Sequence, residues 1–344
     1  MATPDLTVHG AGIIGLSTAW AATRRGARVR VLDPGGPGAG ASGGLVGALA
    51  PHVPENWNEK KAFQLDSLIM AEAWWRDVAK AGGRDPGYAR TGRLQPLADT
   101  AALDLARARE TTAQTLWQGR ATWQVVRRAG TGWEPPSPGG WLIHDTLSAR
   151  IHPRQALVAL IAALKANGVE IAREGRAKGI QVWATGVPGL TALCNANGRP
   201  AGKGVKGQAA ILRFEARDLP QLFLNGLHII PHDDGTVAIG STSENHWETE
   251  AVDAQLETLI ARARQALPCL TEAKVIERWA GLRPRARSRA PILGAWPERP
   301  GHFIANGGFK IGFGMAPKMA ETLVDLILEG KDGIPDSFRP EANL

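Results

Sequence analysis

The sequence predicts an α/β protein with a Rossmann-like domain built from discontinuous segments. An α+β domain with a mostly antiparallel sheet is inserted between those segments. Three observations lead there. A strand, a glycine turn, a helix and a second strand open the chain across residues 6–33. Short β-favouring runs and helices alternate again over 152–186 and 292–328, as in crossover-connected parallel sheets. Between these stretches, residues 227–244 alternate like an antiparallel hairpin turning at Asp234-Gly235.

The opening unit reads VHGAGIIGLSTAWAATRRGARVRVLD. Leu6-Thr7-Val8 is a strand, Ile13 to Arg25 carries helical periodicity, and Gly26 stops that helix. Val29 to Leu32 forms the next strand, which ends at Asp33. Gly10 suits the tight turn, Gly12 the close approach of a pyrophosphate, and Gly15 the packing of helix on strand. Ile13 and Ile14 begin the helix, whose N-terminus favours negative charge. Asp33 stands where a carboxylate accepts from a ribose 2′-hydroxyl, which disfavours a 2′-phosphate. An ordinary strand–helix turn is the bland alternative. At this point both FAD and NAD fit.

Further elements follow in order. Residues 34–50, PGGPGAGASGGLVGALA, are small and glycine-rich and suit close-packed turns. Helices are expected over 61–80 and 100–117, and a loop over 131–140. His152-Pro153 opens a strongly apolar helix ending at Asn167-Gly168. Strands at 169–172 and 181–184 return the chain to the first sheet. Helices at 251–267 and 316–328 complete the pattern, with short strands near 292–294 and 303–305. The expected partition is 1–55, 141–195 and 290–344 for the nucleotide domain. The second domain takes 56–140 and 196–289.

Composition narrows the classes. The chain has 344 residues, 44% hydrophobic and 21% charged, as in soluble globular proteins of about two domains. It has no apolar run of about 18 residues, so no membrane span is expected. A cleavable leader would remove the first strand, so secretion by that route is not expected. Cys194 and Cys269 show neither metal-ligand spacing nor a disulfide framework. No metal is expected, and a reducing cytoplasm is the expected compartment. The net charge of +7 is densest in RPRARSR at 283–289. No nucleic-acid-binding signature accompanies it, so a solvated basic surface is the expectation.

Five stretches together resemble the FAD-dependent amino-acid and amine oxidoreductases of the D-amino-acid oxidase, glycine oxidase and sarcosine oxidase group. They are GAGIIG (10–15) with Asp33, GASGGLVGALAPH (40–52), WATG (183–186), HIIPHDDGTVAIGSTSE (228–244), and GLRPRARSRAPILG (281–294) with NGGFKIGFGMAP (306–317). The resemblance spans about Leu6 to Glu329. It implies that Gly10, Gly12, Gly15 and Asp33 hold the ADP half of FAD. Ala41 and Ser42 would lie beside the pyrophosphate, Leu49 and Ala50 near the isoalloxazine, and Ala184, Thr185 and Gly186 over the adenosine. The loop containing Gly308, Lys310, Ile311, Gly312, Phe313, Gly314 and Met315 would pass the flavin edge. Arg283 matches the family's carboxylate-binding arginine, and Pro284 is expected to break the strand there, leaving Arg285, Arg287 and Arg289 on the surface. His52, His228 and His232 are candidates for contact with a substrate. No cysteine follows Cys269, which implies noncovalent FAD.

This chain departs from the family at Ser288, where Asp is frequent, at Arg289, where Gly is usual, and at Ile311, where His is common. Its lone Tyr88 supplies no evident lid. The implied reaction is oxidation of the C–N bond of a small amino acid or related amine. Hydride passes to the flavin, and the resulting imine hydrolyses. The electron acceptor is open among oxygen, a quinone or a protein. One alternative is oxidation of a carboxymethylaminomethyl group on tRNA wobble uridine, although no fused methyltransferase half is seen. The other is a nonenzymatic nucleotide-binding protein.

Overall fold

The computed structural model describes residues 5–344. β1 (Leu6–His9), α1 (Ile13–Arg24) and β2 (Val29–Leu32) open the chain. Next come β3 (Ala48–Leu49), α2 (Glu59–Gly82), β4 (Arg93–Pro96), α3 (Thr100–Leu116) and β5 (Trp123–Arg127). β6 (Trp141–Asp145), β7 (Ala149–Arg150), α4 (Pro153–Ala166), β8 (Glu170–Ala172), β9 (Ile180–Trp183) and α5 (Val187–Ala192) follow. The second half holds β10 (Gly202–Arg213), β11 (Gln221–Leu224), β12 (Leu227–Pro231), β13 (Thr236–Gly240), α6 (Ala254–Ala266) and β14 (Val275–Ala286). β15 (Ile292–Ala295), β16 (His302–Asn306) and α7 (Gly312–Glu329) close the chain's regular elements.

Two large sheets organise the fold. The first runs β15-β16-β9-β1-β2-β8 and is parallel except where β15 meets β16. The second runs β14-β10-β13-β12-β11-β4-β6-β5 and is antiparallel except between β4 and β11. α1 is buried from Ile13 to Ala22 because it packs on the first sheet with α4 and α7 around it. Its small residues make that close approach sterically cheap. On the other sheet, Leu256, Leu259, Ile260 and Ala263 of α6 cover Ala210, Leu212, Val237 and Ile239. Each large apolar side chain buried this way contributes about 1.5–3 kcal/mol.

The elements expected from the sequence recur in the expected order and type, while β3 to β7, β10, β11 and α5 were not foreseen, and four further differences have physical causes. Trp141–Asp145, expected with the nucleotide domain, pairs with β4 and β5 in the second sheet. α2, expected with the second domain, packs instead on α4 and α7. Its apolar face, including Phe63, Leu68, Ala71 and Trp75, joins the core that also holds Met315 and Leu323. α7 begins at Gly312, four residues ahead of expectation, because tertiary packing overrides the poor helix propensity of glycine. A Cβ at Gly314 would sit 3.2 Å from Leu68, so the glycine lets the two helices close up.

The fourth difference is at Pro284. It does not interrupt β14, which pairs with β10 from Gly202↔Ala286 to Leu212↔Val275. β14 is an edge strand, and the Pro284 carbonyl accepts from Phe309 N–H at 3.1 Å on its outer side. The donor that proline lacks therefore points away from β10, where its loss costs no ladder bond.

Candidate active site

A continuous cavity of about 1370 Å³ lies between the carboxyl ends of β1, β2 and β9 and the inner face of the second sheet. Ligands of open α/β sheets bind outside the carboxyl ends of the strands, where the strand order reverses. The volume exceeds the roughly 300–1,000 Å³ of pockets for drug-sized molecules. It has room for a dinucleotide and a small molecule in sequence.

At the nucleotide end, Gly10, Gly12, Ile13 and Ile14 line the wall with Asp33, Ala41, Ser42 and Ala50. Ala184, Thr185 and Gly186, after β9, face them. Gly10 has φ 103°, and a Cβ there would lie 2.4 Å from the Ala184 carbonyl oxygen, so only glycine fits. α1 carries no side-chain cap from its own N-cap, Gly12; instead Ser42 Oγ accepts from Ile13 N–H at 3.0 Å. Asp33 accepts from Ala11 N–H at 2.7 Å and from Gly35 N–H at 3.0 Å. The carboxylate thus ties the glycine turn to the end of β2 while its remaining lone pairs face the cavity.

Gly308, Lys310, Ile311, Gly312 and Phe313 line the other end of the cavity. α7 also begins there without a side-chain cap. Two helix N-termini, neither capped by its own N-cap residue, therefore open on one space. That arrangement favours a ligand with negative charge at two separated places. Four expected contact residues stand behind the lining. Gly15 packs α1 on β1, where a Cβ would lie 1.9 Å from the Gly10 oxygen. Gly314 lies against α2, while Leu49 and Met315 are fully buried in the core.

Arg283 decides the character of the far wall. It is 8% exposed, and no carboxylate forms an ion pair with it among the described residues. Nη1 donates to Ser241 Oγ at 2.5 Å, Nη2 donates to the carbonyls of Thr242 and Lys206, and Nε has no partner. Burial pushes its pKa down to about 10. Gly207 makes the space, since a Cβ there would stand 2.0 Å from Nη2. The other arginines of the run have different partners: Arg285 donates to Asn245 Oδ1 at 2.8 Å, and Arg287 to the Pro200 carbonyl. Arg289 lies in a turn with φ 61°.

The histidines separate. His52 lines the cavity, and its backbone N–H and Nδ1 both meet Gln64 Oε1, at 2.7 and 2.5 Å. That oxygen can only accept, so Nδ1 carries the proton and Nε2 is left as an acceptor. His228 also lines the cavity, with Nδ1 unpartnered. Burial, then Arg93, Lys310 and Arg283, push its pKa down to about 3, so the ring is neutral. His232 is a correction: it lies outside the cavity lining, fully buried, with its ring 4.4 Å from His152 and Nδ1 3.3 Å from Thr236 Oγ1. Adjacent strand residues face opposite ways, but residues 228 and 232 share parity. The far end of β12 simply runs beyond the cavity, toward the start of α4.

Sequence reading missed Arg93, Gln95, Phe223, Ser241 and Trp279, all of which line this wall. Arg93 and Gln95 are two apart on β4, and Trp279, Gly281 and Arg283 are two apart on β14, so strand parity was an available signal. Arg93 pairs with Asp145, Nε to Oδ2 at 2.9 Å, and both side chains are buried.

The fold and cavity define a nucleotide-cofactor enzyme whose second sheet closes over the reacting end. The chain belongs to the DAO family of FAD-dependent oxidoreductases, which it matches over residues 5–326. Glycine oxidase of Pseudomonas putida is 29% identical over 378 residues, with 99% of each chain covered. Among solved structures, glycine oxidase from Geobacillus kaustophilus matches with a TM-score of 0.82 at 21% identity, covering 97% of this chain and 96% of that one. Iminodiacetate oxidase from Chelativorans sp. BNC1 gives a TM-score of 0.84 at 21% identity, over 97% and 98%.

Proposed function

We propose that this enzyme oxidises the C–N bond of a small amino acid or related amine, with FAD bound noncovalently. The observation that carries the reading is Arg283, a buried guanidinium with no carboxylate in ion-pair contact among the described residues, held at the cavity wall. A buried cation without a directly paired carboxylate is costly, so the site suits an anionic ligand. A planar guanidinium suits a carboxylate, which it can grip through two parallel bonds.

The residues present fit FAD. Gly10, Gly12, Asp33 and Ser42 would hold its ADP half, with Ala184, Thr185 and Gly186 over the adenosine. Residues 308–313 would lie along the flavin. FAD, when bound, supplies the two-electron acceptor that oxidation of an amine to an imine requires. The protein's own part is positioning. Ser241, Thr242 and Gly207 fix the guanidinium, and the guanidinium fixes the carboxylate. His228 stays neutral, so it adds no further positive charge to oppose the loss of hydride from the substrate. No protein base is needed if the amine enters deprotonated, and water hydrolyses the imine product.

Neither cysteine lines the cavity, which supports noncovalent FAD. Among the described residues no helix is long and apolar enough to cross a membrane, and a cytoplasmic location is part of the same proposal. The test is spectroscopic. Acid precipitation should release the yellow chromophore into the supernatant, and anaerobic addition of an amino acid should bleach the native protein. Colour retained in the pellet would refute noncovalent binding. A flavin that no amino acid or amine reduces would refute the activity.

A further inference from the structure

One transverse row of the eight-stranded sheet crosses the far wall of the cavity. Phe223 of β11 pairs with His228 of β12, and His228 with Gly240 of β13. Gly240 pairs with Ala209 of β10, and Ala209 with Trp279 of β14. β4 and β11 run parallel with Leu94 beside Leu222, so the next step of that register brings Gln95 beside Phe223. Paired residues share a face of the sheet, and Gln95, Phe223, His228, Ala209 and Trp279 all line the cavity. The Gly240 part of the row is covered by the loop before β3. A Cβ at Gly240 would meet Val46 Cγ2 at 2.5 Å, and one at Gly44 would meet Trp279 at 3.3 Å. Gln95, Phe223 and His228 form the other section.

Two polar groups in that section have nothing to bond. Gln95 Nε2 and His228 Nδ1 are both buried without a hydrogen-bond partner. The His228 ring is neutral, so it offers one donor and one acceptor. Phe223 stands beside it, with the ring centroids 4.6 Å apart. The cation of this section is already engaged: Arg93 pairs with Asp145 at 2.9 Å and holds its Cζ 5.9 Å from the Phe223 ring. A further cation is unwelcome, because Arg93, Lys310 and Arg283 all press on the same imidazole. An apolar group placed here would leave the buried amide and imidazole nitrogens unsatisfied. An uncharged group that both donates and accepts fits all of these neighbours.

Resting on the amine-oxidising reading above, we propose that the substrate is an amino acid whose side chain ends in a carboxamide or hydroxyl, recognised by Gln95 and His228. Arg283 takes the α-carboxylate, and this section of the row sorts what the α-carbon carries. The Gln95 amide donates to the carbonyl or hydroxyl oxygen of that side chain. The neutral imidazole supplies the complementary partner. Gln95 and His228 are then specificity residues: a site that hydrogen-bonds a substrate group rejects the analogue lacking it, because its own polar atoms are left unpaired.

The holoenzyme provides the test. Anaerobic flavin bleaching is titrated with asparagine and serine and with their apolar isosteres leucine and 2-aminobutyrate, each as both enantiomers. In parallel, calorimetry compares succinamate with 4-methylpentanoate, which share a shape and have no amine to oxidise. The polar member of each pair should act at least about tenfold more tightly in both assays. Gln95→Met, close in volume but without the amide, should bring that ratio near one, and His228→Phe should shrink it as well. Equal affinity for polar and apolar members, or a ratio unchanged in either variant, overturns the assignment. If no amine bleaches the flavin while succinamate still outbinds 4-methylpentanoate, the oxidation reading falls and the polar subsite stands.

Discussion

Arg283→Ala should weaken substrate binding at least about tenfold, because a buried charge pair loses one member. Arg283→Lys should recover only part of that, since an ammonium cannot reproduce the two parallel bonds. FAD content should stay constant in both, and flavin reduction with wild-type apparent affinity in Arg283→Ala would overturn the role. Gly207→Ala tests the same group from across the ladder. The added Cβ would meet Nη2 at 2.0 Å and Cζ at 2.3 Å, so the guanidinium must move. The expected loss in kcat/KM lies between about tenfold and about a hundredfold, the range set by losing or misplacing a positioning group. Normal kinetics in Gly207→Ala would show that Arg283 need not sit where it does.

Among the elements, the joint between β1, α1 and β2 is the most exacting. Asp33 binds the ribose in the proposed complex, and it also accepts Ala11 N–H and Gly35 N–H. Asp33→Ala should therefore weaken FAD retention and lower the apoprotein's stability together. Each charge-assisted bond contributes about 1.5–3 kcal/mol. Sequence reasoning foresaw only the first effect, because a backbone donor 22 residues away is invisible in a local motif. The check is an FAD dissociation constant alongside a urea midpoint for the apoprotein. An unchanged dissociation constant would leave Asp33 a purely structural brace.

Across the whole molecule, buried histidines set the acid response. His228 and His232 are each pushed down to about 3, chiefly by burial, from a usual value of 6.5. Between those two values the unfolded chain binds protons that the fold does not. Stability must then fall as pH drops below about 6.5, and the loss continues toward pH 3. Down to about pH 5 the carboxylates add little, since their usual values lie lower. Urea unfolding there should show an uptake of at least about two protons per molecule, since burial also lowers His52, His152 and His302, and His232→Asn should remove about one. A urea midpoint that does not change between pH 7 and pH 5 would contradict this.

Local patterns in the sequence sufficed for the nucleotide end. GAGIIG, Asp33 and the small residues around Ser42 are contiguous, and their strand–helix–strand setting is encoded by neighbours in the chain. The same holds for the helix ends at Asn167-Gly168 and the hairpin turn at Asp234-Gly235. The reacting end was decided by tertiary structure. Four arginines alternate along 283–289, and only the pairing of β14 with β10, which lays one guanidinium over Gly207, buries one of them at the cavity wall. Arg93, Ser241 and Lys310 come from three distant segments, and their shared surface exists only once the eight-stranded sheet forms. His228 and His232 look equivalent in sequence, yet one faces the cavity and the other packs on His152. Burial and the absence of a counter-charge are properties of assembled neighbours, and no single stretch of chain carries them.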